Sequence, residues 1–354
     1  MATTFKTLGA KDVVSTRQLL HEAIPVTGTI VSGTYSDENV KNYSHGMFQS
    51  VYDYPYLSSS ANHIFDLTVG YAASSVLSSS TATQNSKKIN LYNQMSQVLM
   101  GFDITGAVNL LDEDGDLSGG TKMRECFFLN FARLLTKDEI KKGSFNLQLG
   151  VSSSHANPFR SERIKLSDRD AATEFKVNSP AGEYGILYAT NEAGNRLVNP
   201  SAGTKAVKAG LLFYQAGVAV ITGSVFGGLL SGTVQMDGFG QNVDAVLTGS
   251  VISASCDSFR RRMYNMSFNN TTELNSTIYF CRVNNNDFNY SSNPTYLTAS
   301  KIRTKENVSD PPVAYITTVG LYSPDNQLLA VGKVSEPLKK DPTDEFTLRV
   351  RLDY

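Results

Sequence analysis

The segment Glu345-Phe346-Thr347-Leu348-Arg349-Val350-Arg351-Leu352-Asp353-Tyr354 alternates without a break. Phe346, Leu348, Val350, Leu352 and Tyr354 face one way; Glu345, Thr347, Arg349, Arg351 and Asp353 face the other. Side chains along a strand point to opposite sides with a period of two, so this is a half-buried strand. Upstream, residues 313–322 and 327–334 flank Ser323-Pro324-Asp325-Asn326, a turn whose proline suits its second position. Three successive strands here predict an antiparallel meander. Residues 335–342, with two prolines and two lysines, read as an exposed connector that discourages edge pairing.

Working back from that segment, β-patterning reaches as far as Phe145, where Phe145, Leu147 and Leu149 alternate with Asn146, Gln148 and Gly150. Residues 184–190 form a strand candidate, followed by the turn-prone 191–195. Residues 211–214 and 218–222 flank Gln215-Ala216-Gly217 as a hairpin. Residues 85–142 are the most helical part. Ile89, Tyr92, Met95, Val98 and Leu99 give a helical stripe ended near Gly101. Cys126-Phe127-Phe128-Leu129 fits a helix or a buried strand equally, and Thr136-Lys137-Asp138-Glu139 has the form of a capping box before a short helix ending at Gly143.

The first 60 residues read as an extended arm. Ser15 to Glu22 can begin a helix that Pro25 halts, and Tyr35, Tyr43, Phe48, Tyr52, Tyr54 and Tyr56 follow without a clean period. Such aromatic-studded stretches wrap over a neighbouring surface. The expected fold is mainly β (α+β). It has a C-terminal antiparallel β-domain, a helical or mixed insertion around residues 85–142 and the N-terminal arm. The expected organisation is 1–60, 61–143 and 144–354, with the second boundary at the Gly143 break.

Composition limits the function. Thirty-two Lys and Arg against 33 Asp and Glu leave a net charge of −1, which argues against coating nucleic acid or an anionic membrane. Plentiful Tyr and Phe with only 18% charged residues exclude intrinsic disorder. Cys126, Cys256 and Cys281 lie far apart with no C-x-x-C, so a zinc site has no support and buried thiols in a reducing compartment are expected. The first residues lack the apolar region of a signal peptide, and no 18-residue apolar window exists; a soluble, cytoplasmically made chain is expected. The Asn-x-Ser/Thr triplets therefore read as products of an Asn/Ser/Thr-rich composition rather than glycosylation sites.

Clusters that could carry chemistry are few. Asp112-Glu113-Asp114-Gly115-Asp116 is the dense acidic run, but a calcium loop starting at Asp112 would need Gly at its sixth position and Glu at its twelfth. Those positions hold Leu117 and Met123, so a solvated turn is the favoured reading and no metal is expected. His21, His45, His63 and His155 are scattered, and no nucleophile elbow, paired-histidine zinc motif or phosphate-binding loop occurs. A glycosidase would draw paired carboxylates from Asp103, Asp112, Asp114 and Asp116, but sugar grooves commonly stack on Trp, which is absent. No catalytic residue, cofactor or enzymatic activity is expected. Arg260-Arg261-Arg262 is the compact basic run and reads as interfacial or structural rather than nucleic-acid-binding.

A further pattern lies in the last third. Phe280-Cys281-Arg282-Val283 leads into Asn286-Asp287-Phe288-Asn289-Tyr290-Ser291-Ser292-Asn293-Pro294-Thr295-Tyr296, then Tyr315-Ile316-Thr317-Thr318-Val319-Gly320-Leu321-Tyr322. Gln327-Leu328-Leu329-Ala330-Val331-Gly332-Lys333-Val334-Ser335-Glu336-Pro337-Leu338 follows, and the chain closes on Leu348 to Tyr354. In this order, residues 205–354 resemble virion structural proteins of large contractile-tailed phages of T4-like layout. The resemblance implies a non-enzymatic particle component of the tail, baseplate or neck, contacting copies of itself and other phage structural proteins, and located in the virion. The alternative is a particle-surface receptor- or fibre-attachment protein binding host glycans. The candidate interface residues are Tyr52, Tyr54, Tyr56, Phe288 and Tyr290, aromatic groups that bury large areas, with Arg260, Arg261 and Arg262.

Overall fold

The computed structural model describes residues 5–22, 37–131, 139–152, 154, 156–159, 163–191, 207–227, 241–289, 297–298, 301–302 and 312–354. In chain order, β1 (Val13–Glu22) is followed by β2 (Val40–Asn42), β3 (Gln49–Tyr52), β4 (His63–Tyr71) and helix α1 (Asn85–Met100). Next come β5 (Glu125–Asn130), β6 (Glu139–Ile140), β7 (Asn146–Gly150), β8 (Arg163–Ser167), the single turn α2 (Ala171–Glu174) and β9 (Tyr184–Asn191). A hairpin of β10 (Lys208–Phe213) and β11 (Val218–Thr222) precedes the short helices α3 (Val243–Gly249) and α4 (Ile252–Arg260). After β12 (Met263–Ser267) and β13 (Asn270–Val283) come β14 (Leu297–Thr298) and β15 (Lys301–Ile302). The last strands are β16 (Ala314–Tyr322), β17 (Leu328–Lys340) and β18 (Phe346–Asp353). The protein is mainly β, with antiparallel sheets and few helices, and it divides into two compact units: residues 20–272, and residues 1–19 with 273–354.

The larger unit is built on one ten-stranded sheet of order β12-β7-β8-β9-β10-β11-β5-β4-β3-β2. Its centre explains the ambiguous run at 126–129. Strand β5 sits between β11 and β4, with Phe127 opposite Ile221 on one side and Val69 on the other. A strand buried on both faces needs apolar residues at every position, which erases the period-two signal. Phe127 and Leu129 join a core with Leu67, Val69, Leu147, Leu149 and Ile221, and α3 and α4 add Leu247, Ile252, Cys256 and Phe259. Cys126 and Phe128 face a second core with Tyr184, Ile186, Leu211, Phe213 and Val220, to which α1 adds Tyr92, Leu99 and Met100.

Helix α1 ends where expected, at Gly101, whose φ of 72° is open to glycine at little cost and whose N–H donates to the Gln97 carbonyl. Its buried face runs through Lys88, Leu91, Tyr92, Ser96, Leu99 and Met100, whereas Val98 is exposed. The helix lies so close to β4 that a Cβ on Gly70 would stand 2.6 Å from the Lys88 carbonyl oxygen and 2.8 Å from the Tyr92 nitrogen. Lys88 is fully buried. Its Nζ donates to the carbonyls of Leu247 (2.5 Å) and Ser250 (2.6 Å), the open acceptors at the end of α3. Burial lowers its pKa to about 8.

In the smaller unit β13 is central, with β1 on one side and β18 on the other. Residues 15–22, expected as a helix, are part of β1: Val13, Val14 and Thr16 are β-branched and favour the extended chain that pairs with β13. Strand β18 keeps its alternation but does not complete a meander. It pairs with β13 from Ser276↔Asp353 to Val283↔Phe346, while β17 pairs with β16. The eight-residue ladder on β13 outcompetes the neighbour nearest in sequence. The expected connector at 335–342 is also largely strand, because β17 continues to Lys340. Ile316 pairs with Leu338 and Thr318 with Lys333, so residues 334–337 bulge opposite Thr317. A bulge tolerates Pro337, which has no N–H for the ladder.

Two expectations fall partly on undescribed positions. The capping box begins in 132–138, outside the described residues; Glu139 and Ile140, which it would place in a helix, are strand β6. The turn at 191–195 lies beyond Asn191, outside them as well. The hairpin at 211–222 forms as expected, with Gly217 at φ 63° in its turn. Among the described residues, no helix is long and apolar enough to cross a membrane.

Candidate functional site

The two units bury their apolar residues very differently. Both cores draw all their residues from the larger unit. In the smaller unit, Val283 is the one buried hydrophobic residue among those described. Its β16–β17 hairpin instead exposes Tyr315, Tyr322, Leu328, Leu329 (68%) and Val331 (53%). Phe346, Leu348, Val350 and Leu352 of β18 are each half-exposed, although their alternation is that of a face meant for burial. Their partners across the ladder, Val283, Cys281, Tyr279 and Thr277, extend the same face. Among the described strands, β18 has a neighbour on one side only, leaving an edge whose backbone groups can take another strand.

Beside this surface, a polar loop is held rigidly. Lys340 is fully buried, and its ammonium donates to the Asn285 carbonyl (3.1 Å), Asn289 Oδ1 (2.6 Å) and the Asp341 carbonyl (2.6 Å). Asp287 pairs with Lys6, and that bond is the main reason its carboxyl titrates below the usual range. Phe288 stands at φ 52°, exposed, at the apex of the loop. Tyr290, its companion in the sequence reading, lies outside the described residues.

The other candidate interface residues are dispersed in the larger unit. Tyr54 and Tyr56 are exposed, and Tyr52 is half-buried with its ring edge-on to His63 at 5.5 Å. The three arginines make no common patch. Arg260 is buried and pairs with Asp257 (3.1 Å) and Asp37 (3.5 Å). Arg262, 1% exposed, donates from Nη1 to the carbonyls of Gly150 and Ser152, both at 2.9 Å. Arg261 alone of the three is exposed.

Two polar clusters were not legible in the sequence. Ser50 Oγ donates to Asp66 Oδ1 (2.5 Å), and His63 Nε2 meets the same oxygen at 2.7 Å. The serine is thus bonded to the carboxylate rather than to the imidazole, and His63 is not placed to take its proton. Asp168 accepts from the N–H groups of Gly143 (2.7 Å) and Phe145 (3.0 Å) and from the Tyr214 hydroxyl (3.1 Å). Burial raises its carboxyl pKa, and these donors draw it part of the way back. It ties the turn before β7 to the β10–β11 hairpin. His155, the histidine beside a serine run, lies outside the described residues.

Fold and surface together define a mainly-β protein with a well-packed sheet unit and a second unit of open antiparallel strands. A scan against protein-family models and searches of curated proteins and of solved structures return no match.

Proposed function

We propose that the chain is a non-enzymatic structural subunit of a phage virion, placed in the contractile tail, its baseplate or the neck. It works through contacts with copies of itself and with other phage structural proteins. The order of motifs over residues 205–354 is what points to the particle. What supports assembly as its mode of action is the smaller unit, whose described strands present an open edge and apolar faces but little buried core of their own. Strand pairs without a covered apolar face are at best marginally stable in water, so such a unit is completed by a neighbour. The near-zero net charge fits protein contacts better than a nucleic-acid partner.

The direct test is quantitative mass spectrometry of gradient-purified particles, scoring this chain against the portal protein. Copy numbers in multiples of three or six are expected from ring symmetry. Absence of the chain from purified particles would overturn the proposal.

A further inference from the structure

The acidic run that fails as a calcium motif on its spelling behaves differently in three dimensions. Asp112, Asp114 and Asp116 each bring a carboxylate oxygen to within 4.8 Å of the other two. Asp112 is 0% exposed. Its Oδ2 accepts from the Leu117 N–H (2.8 Å) and pairs with Lys122 Nζ (2.9 Å), but its Oδ1 is enclosed and accepts no hydrogen bond. Asp114 Oδ1 is enclosed and unpartnered as well, and Asp114 Oδ2 lies 3.8 Å from Lys208 Nζ. These oxygens lie together beside Gly120. A Cβ on Gly120 would stand 3.4 and 3.5 Å from the two Asp114 oxygens and 3.7 Å from Asp112 Oδ1. A buried carboxylate oxygen with no donor is costly, and two of them in one cluster of three carboxylates call for a cation.

The loop is anchored as a binding site must be. The Gly115 carbonyl accepts from Tyr184 Oη (3.1 Å) and Asn178 Nδ2 (2.9 Å), fixing the loop tip to β9 and the turn before it. Leu117, at the position where a calcium loop uses glycine, adopts the left-handed backbone that glycine would supply, with φ 63°. Lys122 pairs with Asp112 and Lys208 approaches Asp114, so the lysines offset part of the acidic charge of the loop. Oxygen ligands alone select a hard cation, and three protein carboxylates suit calcium, since magnesium keeps several of its waters and is usually held by one or two carboxylates.

We propose that loop 112–120 binds one calcium ion through Asp112, Asp114 and Asp116. Met123 replaces the closing glutamate of the usual loop, so the site has fewer protein ligands and is of the weaker class.

The test uses the full chain, stripped with a chelator and titrated with terbium chloride, then with calcium chloride. The chain has no Trp, so sensitised terbium emission would come from tyrosine, with Tyr184 against the loop. Saturable one-to-one emission, displaced by calcium well before magnesium, is expected. Asp114→Asn and Asp116→Asn, changes on the open side of the loop, should each weaken calcium binding by about tenfold or more. A chain that shows no saturable calcium binding, that prefers magnesium, or whose two variants bind like the parent would overturn the proposal. Matching circular dichroism spectra of the variants show that the fold is intact.

Discussion

Strand β5 and strand β17 are both rich in apolar residues and both lie in antiparallel sheets, yet they end in opposite surroundings. β5 is covered on both faces by two cores and three helices, and its four central residues are sealed from water. β17 pairs with β16 and exposes Leu328, Leu329 and Val331. Under the proposed function, the contrast separates residues that stabilise this chain from residues whose burial waits for another. In the first group, a substitution should lower folding stability; in the second, it should leave folding alone and weaken assembly.

The largest effect is expected from Phe127→Ala. Phe127 stacks on Phe259 with ring centroids 4.7 Å apart and meets Phe226 edge-on, so truncation opens a cavity costing about 4 kcal/mol, read by urea unfolding. A loss below about 1 kcal/mol would mean that the sheet unit is much looser than its packing implies. Next is Lys88→Ala, which leaves the Leu247 and Ser250 carbonyls without their donor and empties the stem's place, for about 3 kcal/mol.

Lys88 also gives a pH signature. Its folded pKa, near 8, is below the ordinary 10.5, so between these values the unfolded chain holds more protons and stability from this group rises with pH. The parent should gain on Lys88→Met as pH goes from 7.5 to 9.5. A constant difference would show that the ammonium is not held away from water.

For the open strands the expectation reverses. Leu329→Asp combined with Val331→Asp should change unfolding of the isolated chain by no more than about 0.5 kcal/mol, while abolishing incorporation into particles. If the pair instead unfolds the chain, the hairpin is covered by its own protein and the comparison with β5 fails. The smallest effect concerns the loop clamped by Lys340. The Asn284 N–H donates to Asp287 Oδ2 (3.3 Å), and this carboxyl titrates below its ordinary 3.8 chiefly through its bond to Lys6. A depressed carboxyl stabilises above its unfolded pKa and stops doing so as pH falls through the folded one. The Asn284 amide resonance should therefore shift with a midpoint under 3.8; a midpoint at or above that value would mean that Lys6 does not hold the Asp287 carboxylate.

Elements whose signal is local could be read from the sequence, and relationships between distant residues could not. The alternation of 345–354 gave β18, and the apolar runs around Gln215-Ala216-Gly217 gave β10 and β11, since each depends on neighbours within a few positions. The partner of β18 could not be read, because nothing in its pattern distinguishes β13 from β17. Arg262 looked like part of a basic run, and its burial depends on carbonyls more than a hundred residues earlier. Lys88 was within reach: it precedes Leu91 and Tyr92 by three and four positions, which puts a lysine on the buried stripe. At Asp112, the missing glycine argued against a loop whose backbone takes the required turn with leucine.

The pairing of β1 with β13 carries a consequence for the order of events during synthesis. β1 leaves the ribosome some 250 residues ahead of β13, its one partner among the described strands. At ordinary translation rates that delay is on the order of tens of seconds, long enough for the ten-stranded sheet to begin forming. The smaller unit, and with it the surface proposed to meet neighbouring subunits, comes together only once β13 and β18 have been made. A half-made chain would then lack that surface altogether.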